Sequence, residues 1–320
     1  MAKKKMILDL DTGVDDALAI AYATASPEVD LIGIVASYGN NLRDVCATNS
    51  LKLLHLLGQD SVPVYPGADH SLTTDSFFVM KVSKQIHGQN GIGEVELPEP
   101  SHPVESENVA DFIIQAAHKY RKDLVIVPTG PMTNLAVAIK KDPTIISEIG
   151  NVTFMGGALT VPGNVSTTTE ANIHQDPVAA NTVLRSGLPL TMVGLDVTMQ
   201  TLLTKNDTAK WRSLATQAGQ KYADITDFYI DAYDQLDIDH RGCALHDPLA
   251  VGVAIDPTLV QTISLPLTVT TNGVDAGRTV GDPALSADPA APRVTVAYDL
   301  NPQTYLARFM KRLTALFTHH

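Results

Sequence analysis

The chain has 320 residues, of which 44% are hydrophobic, so it can bury a large core. It carries 23 Lys and Arg against 35 Asp and Glu, which gives a net charge of -12. Because polyanions are attracted by basic surfaces, this acidic balance argues against nucleic acid or an anionic membrane as the partner. A small-molecule substrate is the better prediction.

The chain shows no targeting or membrane-spanning pattern. No stretch reaches the roughly 18 apolar residues that a membrane span needs. Lys3 to Lys5 are followed by only three apolar residues before the first acidic residue, Asp9, which is too short for the apolar segment of a signal peptide. The sequence therefore predicts a cytoplasmic protein without a signal peptide. Cys46 and Cys243 are too few for a disulfide framework and lack CxxC spacing. Cys243 lies near His246 in sequence, so a thiol nucleophile is an alternative, although a lone Cys is more often inert packing.

Short apolar runs alternate with segments of helical spacing in the first two thirds of the chain. This alternation predicts an α/β fold, with a mostly parallel, Rossmann-like central sheet flanked by helices, in one domain over residues 1–320. The predicted strands are Lys5–Leu10, Leu31–Ser37, Leu124–Pro128, Val152–Met155 and Leu190–Val193. The predicted helices are Ala17–Ala25, Asn41–Leu57, Val109–Tyr120, Met132–Lys141 and Pro177–Ser186.

The pattern changes after Thr198. Residues 262–297 predict a small antiparallel addition of two or three strands around a loop rich in Gly, Asp and Pro, 281–292. The other predicted elements are a helix over Asp207–Tyr233, a turn over Asp237–Gly242, and helices over Asp247–Ile255 and Pro302–Phe317.

An acidic cluster follows the first predicted strand, where residues 9–16 read Asp-Leu-Asp-Thr-Gly-Val-Asp-Asp. Ligands of open α/β sheets bind outside the carboxyl ends of the strands, which is where these acids would lie. Asp15 and Asp16 alone could simply cap the next helix. With Asp11, however, three carboxylates converge, and they need protons or a cation to coexist. Since no His or Cys belongs to the cluster, the ligands would be oxygen atoms, which favours Ca²⁺ or Mg²⁺.

Polar residues also follow other predicted strands. Thr129 stands in the turn Pro-Thr-Gly-Pro at 128–131 and offers another oxygen ligand, although the motif alone is only a turn. Amide and carboxylate side chains at strand ends suit recognition of sugar hydroxyls. They are Asn40, Asn164, Glu170 and Asn172. Late in the chain, Asp247 could cap a helix or bind a metal, and the adjacent His246 could move a proton near neutral pH.

Taken together, these motifs resemble the nucleoside hydrolase family, in order and over residues 7–250. The matching segments are 9–19, 39–40, 128–134, 155–157, 163–164, 170–173 and 246–248. The resemblance implies a single α/β domain, a tightly bound Ca²⁺, and hydrolysis of ribonucleosides to ribose and a free base. It also implies a homo-oligomer, a dimer or a tetramer.

The resemblance further implies roles for individual residues. The predicted Ca²⁺ ligands are Asp11, Asp16, Thr129 and Asp247. Asp11 would also accept a proton from the attacking water, and His246 matches the position proposed as the acid for the leaving base in the inosine-uridine-preferring branch. The predicted substrate contacts are Asp15, Asn40, Asn164, Glu170, Asn172, Met155, His87, Tyr229 and Tyr233.

Two departures and two alternatives accompany this prediction. Thr12 stands where many relatives have Pro, which a turn tolerates. Trp211 is the only Trp, so a purine base held between tryptophans is not expected.

The segment from Asp9 to Thr12 also resembles the nucleophile loop of haloacid-dehalogenase-like phosphatases, an alternative that leaves Asp15 and Asp16 unexplained. A nucleoside binder that keeps the metal but does not turn over is the second alternative.

Overall fold

Twelve strands are found in the computed structural model, which describes residues 3–320. Residues 1 and 2 of the predicted 1–320 domain lie outside the described residues. In chain order the strands are β1 Lys4–Leu10, β2 Val29–Ala36, β3 Val64–Pro66, β4 Leu124–Pro128, β5 Asn151–Met155, β6 Leu190–Val193, β7 Leu202–Leu203, β8 Cys243–Ala244, β9 Val260–Leu265, β10 Leu267–Val269, β11 Thr279–Gly281 and β12 Val294–Leu300.

Fourteen α-helices lie between and around the strands within residues 3–320. They are α1 Val14–Thr24, α2 Arg43–Leu56, α3 Lys81–His87, α4 Val109–Tyr120, α5 Thr133–Lys141, α6 Ile145–Glu148, α7 Ala171–Gln175, α8 Pro177–Leu184, α9 Leu195–Thr198, α10 Lys205–Arg212, α11 Gln217–Gln235, α12 His246–Ile255, α13 Pro283–Ser286 and α14 Pro302–Phe317. Within the described part of the chain, no helix is both long and apolar enough to cross a bilayer.

Eight strands form the central sheet, in the order β3-β2-β1-β4-β5-β6-β12-β9. Every neighbouring pair is parallel except β12 and β9, which run antiparallel at one edge. Two small antiparallel pairs, β7–β8 and β10–β11, lie outside this sheet. The predicted fold class, a mostly parallel sheet with helices and a small antiparallel addition, is therefore confirmed.

Both faces of the sheet are covered, which explains why its inner strands are apolar throughout. Alternate side chains of β1 point to opposite faces. Met6 and Leu8 join one core cluster with α1, α2, α11, α12 and α14, whereas Ile7 joins a second cluster with α4, α5 and α8. The polar residues that follow β1 and β4 are thus held at one edge of a sheet that is fixed from both sides.

The predicted helix over Asp207–Tyr233 is wrong in its continuity, because the structure has two helices there, α10 and α11. Ala215, between them, adopts a left-handed φ of 57°. The Thr216 hydroxyl then caps α11 by accepting a hydrogen bond from the Gly219 N–H at 3.2 Å. Thr is a preferred N-cap residue, and this was the local signal for the break.

The C-terminal region is more elaborate than predicted. Two strands of the expected antiparallel addition, β9 and β12, join the central sheet, and β12 pairs in parallel with β6. The loop after β11 contains the short helix α13, whose N-terminus is capped by the Asp282 carboxylate at 3.0 Å from the Ala284 nitrogen. The sequence analysis did not predict β3 or α3. β3 has three residues and α3 has seven, and elements this short show too little hydrophobic periodicity to be recognised.

Candidate active site

Four carboxylates meet at the carboxyl end of β1. Asp11 lies just beyond the strand, Asp15 and Asp16 form the first turn of α1, and Asp247 lies in the first turn of α12. None is more than 6% exposed, and Asp11 and Asp16 are fully buried. The fold therefore brings Asp247 to the acids of the first motif, as the prediction required.

Short hydrogen bonds orient this acidic cluster, which is defined here as Asp11, Asp15, Asp16 and Asp247. Asp16 accepts from the Gly13 N–H at 2.8 Å and from the Thr129 hydroxyl at 2.7 Å. The carboxylate of Asp11 accepts from the Asn40 N–H at 2.7 Å. The second oxygen of Asp11 and one oxygen of Asp15 are buried without a hydrogen-bond partner among the described residues. Unpaired buried carboxylate oxygens are costly unless a cation or a substrate completes them.

The acidic cluster cannot be fully ionised at neutral pH without compensation. Burial, with a smaller contribution from the Asp16 charge, raises the pKa of Asp15 to about 7. Burial and the neighbouring carboxylates hold the pKa values of Asp11 and Asp247 well above the usual range. Desolvation and repulsion both disfavour the charged forms, and a divalent cation removes both penalties.

The donor set fits a hard cation. Asp15, Asp16 and Asp247 each offer an oxygen, and these three atoms lie within 4.8 Å of one another. This trio differs from the predicted set in containing Asp15, while Asp11 lies beside it. Among the described residues, the carbonyl oxygen of Thr129 accepts a hydrogen bond from the Asn172 amide alone, at 2.7 Å, so one lone pair is left for an ion. Oxygen donors of this kind suit Ca²⁺ or Mg²⁺.

Gly39 supplies a test of the site. Its φ is +153°, and a Cβ at this position would overlap the Asp11 carboxylate. We expect Gly39→Ala to displace Asp11 and weaken binding of a divalent cation at least about tenfold, or about 1.4 kcal/mol, as measured by isothermal titration calorimetry with Ca²⁺ as the probe.

Gly58→Ala is the matched control, because Gly58 also has a positive φ, of +63°, but a Cβ there would meet the His320 ring and not the acidic cluster. It should leave the Ca²⁺ affinity unchanged. An unaltered affinity in Gly39→Ala would show that Asp11 does not contribute to the ion site.

Amide groups and one carboxylate line the side of the site next to β4 and β5. The Asn172 side-chain amide donates to the carbonyl oxygens of Thr129, at 2.7 Å, and Met155, at 3.2 Å. Glu170 caps α7 by accepting from the Asn172 N–H at 2.9 Å, and it also accepts from the Gly157 N–H at 2.9 Å. Asn164 accepts from the Ala171 N–H at 2.9 Å, which leaves its NH₂ group free to donate.

Two histidines and two tyrosines form the opposite side. The rings of His87 and Tyr229 stack with centroids 5.4 Å apart, and Tyr229 and Tyr233 meet edge to face at 4.8 Å. The Tyr233 hydroxyl lies 2.8 Å from Nε2 of His246. Burial lowers the pKa of His87 to about 3 and that of His246 to about 4, so both imidazoles are neutral at pH 7.

A cavity of about 790 Å³ joins these groups. All nine predicted substrate contacts line it, together with Thr129, His246 and Asp247. Asp11 and Asp16 are not lining residues and lie fully buried behind them. The structure thus gathers every predicted site residue in one place.

The mouth of the cavity was missed by sequence reasoning. Val82, Val161, Met199 and Ile238 line it, and each is between 36% and 39% exposed. They come from four separate segments, so no local periodicity marks them as neighbours. Large apolar side chains that stay exposed around one cavity are typical of a ligand-binding surface.

Two sequence alternatives find no support in the geometry. Cys243 does not line the cavity, and burial raises its pKa, which makes it a poor nucleophile. Asp9, the first acid of the segment that resembles a phosphatase nucleophile loop, is 1% exposed and accepts a hydrogen bond from the Asn134 amide at 2.8 Å. It also lies outside the cavity lining.

Trp211 packs edge to face on Phe317 in the core, so it does not contact a base.

Comparisons with known proteins agree with this geometry. The family pattern described as "Inosine-uridine preferring nucleoside hydrolase" matches residues 6–307. A solved structure described as a purine-preferring ribonucleoside hydrolase from Gardnerella vaginalis is 53% identical, with a TM-score of 0.97, and the match covers 99% of this chain and 100% of that one. A probable uridine nucleosidase 2 of Arabidopsis thaliana is 34% identical, over 87% of this chain and 85% of that protein. The pyrimidine-specific ribonucleoside hydrolase RihA of Citrobacter koseri is 32% identical, over 96% and 97%.

The fold and the buried acidic site define a metal-dependent glycosidase. The chain belongs to the inosine-uridine preferring nucleoside hydrolase family, whose members hydrolyse the N-glycosidic bond of ribonucleosides. The prediction of family and enzyme class from the sequence is therefore confirmed, and the phosphatase alternative is wrong.

Proposed function

We propose that this chain is a Ca²⁺-dependent ribonucleoside hydrolase in which Asp11 activates the attacking water and His246 assists departure of the base. The observation that carries the proposal is the single cavity in which an acidic cluster, sugar-binding amides and a histidine–tyrosine wall meet. We also propose that the chain works as one domain, because both core clusters share the same central sheet.

The ion would be held by Asp16, Asp247, Asp11 and Thr129, with Asp15 in reach. When bound, Ca²⁺ makes a coordinated water more acidic and holds it in place. The free oxygen of Asp11 can accept the proton of the attacking water. Asp15, Asn40 and Asn172 bind ribose hydroxyls and thereby fix the anomeric carbon relative to Asp11.

The electrostatics of the cavity suit the reaction. Glycosyl transfer develops positive charge on the sugar ring, and neighbouring carboxylates stabilise that charge. The leaving base gains negative charge and needs a hydrogen bond or a proton. His246 is neutral at pH 7, so its contribution is a hydrogen bond through its single N–H, delivered directly or through Tyr233.

Purine ribonucleosides are the proposed preferred class. The 53% identical structure is described as purine-preferring, whereas the relatives named for uridine or pyrimidines are 31–34% identical. The apolar mouth of the cavity offers aliphatic surface to a flat base. A two-ring base buries more of that surface than a one-ring base does, which favours purines.

The test is a panel of ribonucleosides and 2'-deoxyribonucleosides, with reducing sugar as the readout. We expect release of ribose that a chelator abolishes and Ca²⁺ restores, with kcat/KM for inosine at least about tenfold above that for uridine. Pyrimidine preference would overturn the substrate class but not the reaction. If the Ca²⁺-loaded protein cleaves no ribonucleoside yet binds one in calorimetry, the non-catalytic binder is correct.

A further inference from the structure

A row of hydrogen-bonded side chains runs from the last residue of α9 to the acidic cluster. Thr198 Oγ1 lies 2.7 Å from His246 Nδ1, and His246 Nε2 lies 2.8 Å from the Tyr233 hydroxyl. The Tyr233 and Tyr229 hydroxyls are 3.4 Å apart, and Tyr229 donates to the Asp15 carboxylate at 3.5 Å. All five side chains are buried. We refer to these five residues as the Thr198–Asp15 row.

The Asp15 end of the row sets one direction for its hydrogens. The Tyr229 hydroxyl donates to the Asp15 carboxylate, so its oxygen is left to accept from Tyr233. Tyr233 in turn accepts from Nε2–H of His246. The Asp15 end thus places a hydrogen on Nε2 and leaves Nδ1 facing the Thr198 hydroxyl.

The Thr198 end gives the same direction independently. Among the described residues, His246 Nδ1 is the only hydrogen-bond partner of Thr198 Oγ1. If Nδ1 carried the hydrogen, the Thr198 hydroxyl would accept it and its own proton would be buried without an acceptor. A buried donor that lacks a partner is strongly unfavourable, whereas an unused lone pair is not.

His87, the second histidine in the cavity, also accepts a hydrogen bond at Nδ1. The backbone N–H of Val14 donates to Nδ1 of His87 at 3.2 Å, which leaves the hydrogen of the neutral ring on Nε2. Both histidines of the cavity wall therefore have Nδ1 held by a donor.

We propose that Thr198 is a positioning residue for the reaction: its hydroxyl donates to Nδ1 of His246 and holds the imidazole in the Nε2–H tautomer. This inference rests on the proposed function, in which His246 assists departure of the base. His246 and Tyr233 both line the cavity, and Tyr233 accepts from Nε2–H while its own hydrogen makes only the long 3.4 Å contact with Tyr229, so a base in the cavity can take that hydrogen instead. In the other tautomer, Nε2 would be an acceptor, and the Tyr233 hydroxyl would donate its single hydrogen to Nε2 and have none left for a base.

The experiment compares Thr198→Val and Thr198→Ser with the wild type on two substrates. One is the best ribonucleoside of the panel, whose base needs a donor to leave, and the other is 4-nitrophenyl β-D-ribofuranoside, whose leaving group does not. For Thr198→Val we expect kcat on the ribonucleoside to fall about 30-fold or more with KM nearly unchanged. The nitrophenyl riboside should be cleaved at close to the wild-type rate, and Thr198→Ser should restore most of the loss.

Thr226→Val is the matched control. Thr226 is also fully buried, but its hydroxyl donates to the backbone carbonyl of Tyr222 at 2.7 Å and, among the described residues, makes no hydrogen bond to the row. The Thr226→Val substitution also replaces a buried hydroxyl by a methyl group, so it measures the general effect of losing a buried hydroxyl. We expect both substrates to be cleaved at wild-type rates.

A second readout does not depend on turnover. In ¹⁵N spectra of histidine-labelled wild-type protein, His246 should show an unprotonated Nδ1 and a protonated Nε2, and Thr198→Val should lose this pattern. Wild-type spectra with the hydrogen on Nδ1 overturn the proposal. So does a Thr198→Val enzyme that cleaves both substrates equally slowly or both at wild-type rates. A wild type that cleaves no ribonucleoside defeats the proposed function instead, and the spectra still decide the tautomer.

Discussion

Asp11→Asn is expected to lower kcat for ribonucleoside hydrolysis by about a thousandfold or more. The amide keeps the shape of the side chain but cannot accept the proton of the attacking water. The same change should raise the melting temperature of the metal-free protein, because it removes one of four buried acids whose charges repel. Reducing-sugar assays and scanning calorimetry measure the two effects on the same preparation.

Asp44→Asn is the control for this substitution, since Asp44 lies on the surface in the first turn of α2 and forms an ion pair with Arg43, far from the acidic cluster in sequence. It should change neither kcat nor the melting temperature of the metal-free protein appreciably. A kcat for Asp11→Asn within tenfold of the wild type would rule out Asp11 as the base.

Removal of the cation is expected to abolish activity and to destabilise the protein more at pH 8 than at pH 5. The folded-state pKa of Asp15 is raised to about 7. As pH rises from about 4 towards 7, the acid ionises in the unfolded chain but not in the metal-free folded chain. The metal-free protein therefore loses stability over this range. In the Ca²⁺-loaded protein the same carboxylates are ionised as ligands, so the loss is prevented.

Melting temperatures of chelated and Ca²⁺-loaded protein at pH 5, 6.5 and 8 provide the measurement. The gap between the two forms should widen with pH and correspond to about 4 kcal/mol when Ca²⁺ exceeds its Kd a thousandfold. Mg²⁺ serves as the control ion, because it demands a stricter octahedral geometry and should stabilise less. A gap that is constant from pH 5 to pH 8 would contradict a site built from acids with raised pKa values.

Much of the site could be predicted because parallel strands end at a common edge. Asp11 follows β1 and Thr129 follows β4, and these strands are neighbours in the sheet. Recognising the strands was therefore enough to place the two residues together. The position of Asp247 needed the family resemblance, because no local pattern shows that α12 packs beside α1.

The remaining features depend on tertiary packing. The His87 ring lies on α3, a seven-residue helix too short for its periodicity to be read. The hydrogen bond between Thr198 and His246 joins residues 48 positions apart, and nothing in the sequence around either residue indicates this contact. Likewise, the break between α10 and α11 lies at Ala215 and at the N-cap residue Thr216. The apolar spacing is continuous across both residues, so it predicted one helix.

One amide links the two halves of the site. The Asn172 side chain bridges the carbonyl oxygens of Thr129 and Met155, so it joins the ends of β4 and β5 while its own residue faces the cavity. The sugar-binding and ion-binding groups thus share one rigid frame. Their conformational freedom is lost when the chain folds, not when the nucleoside arrives, so the binding energy of the ribose remains available to align the glycosidic bond for attack.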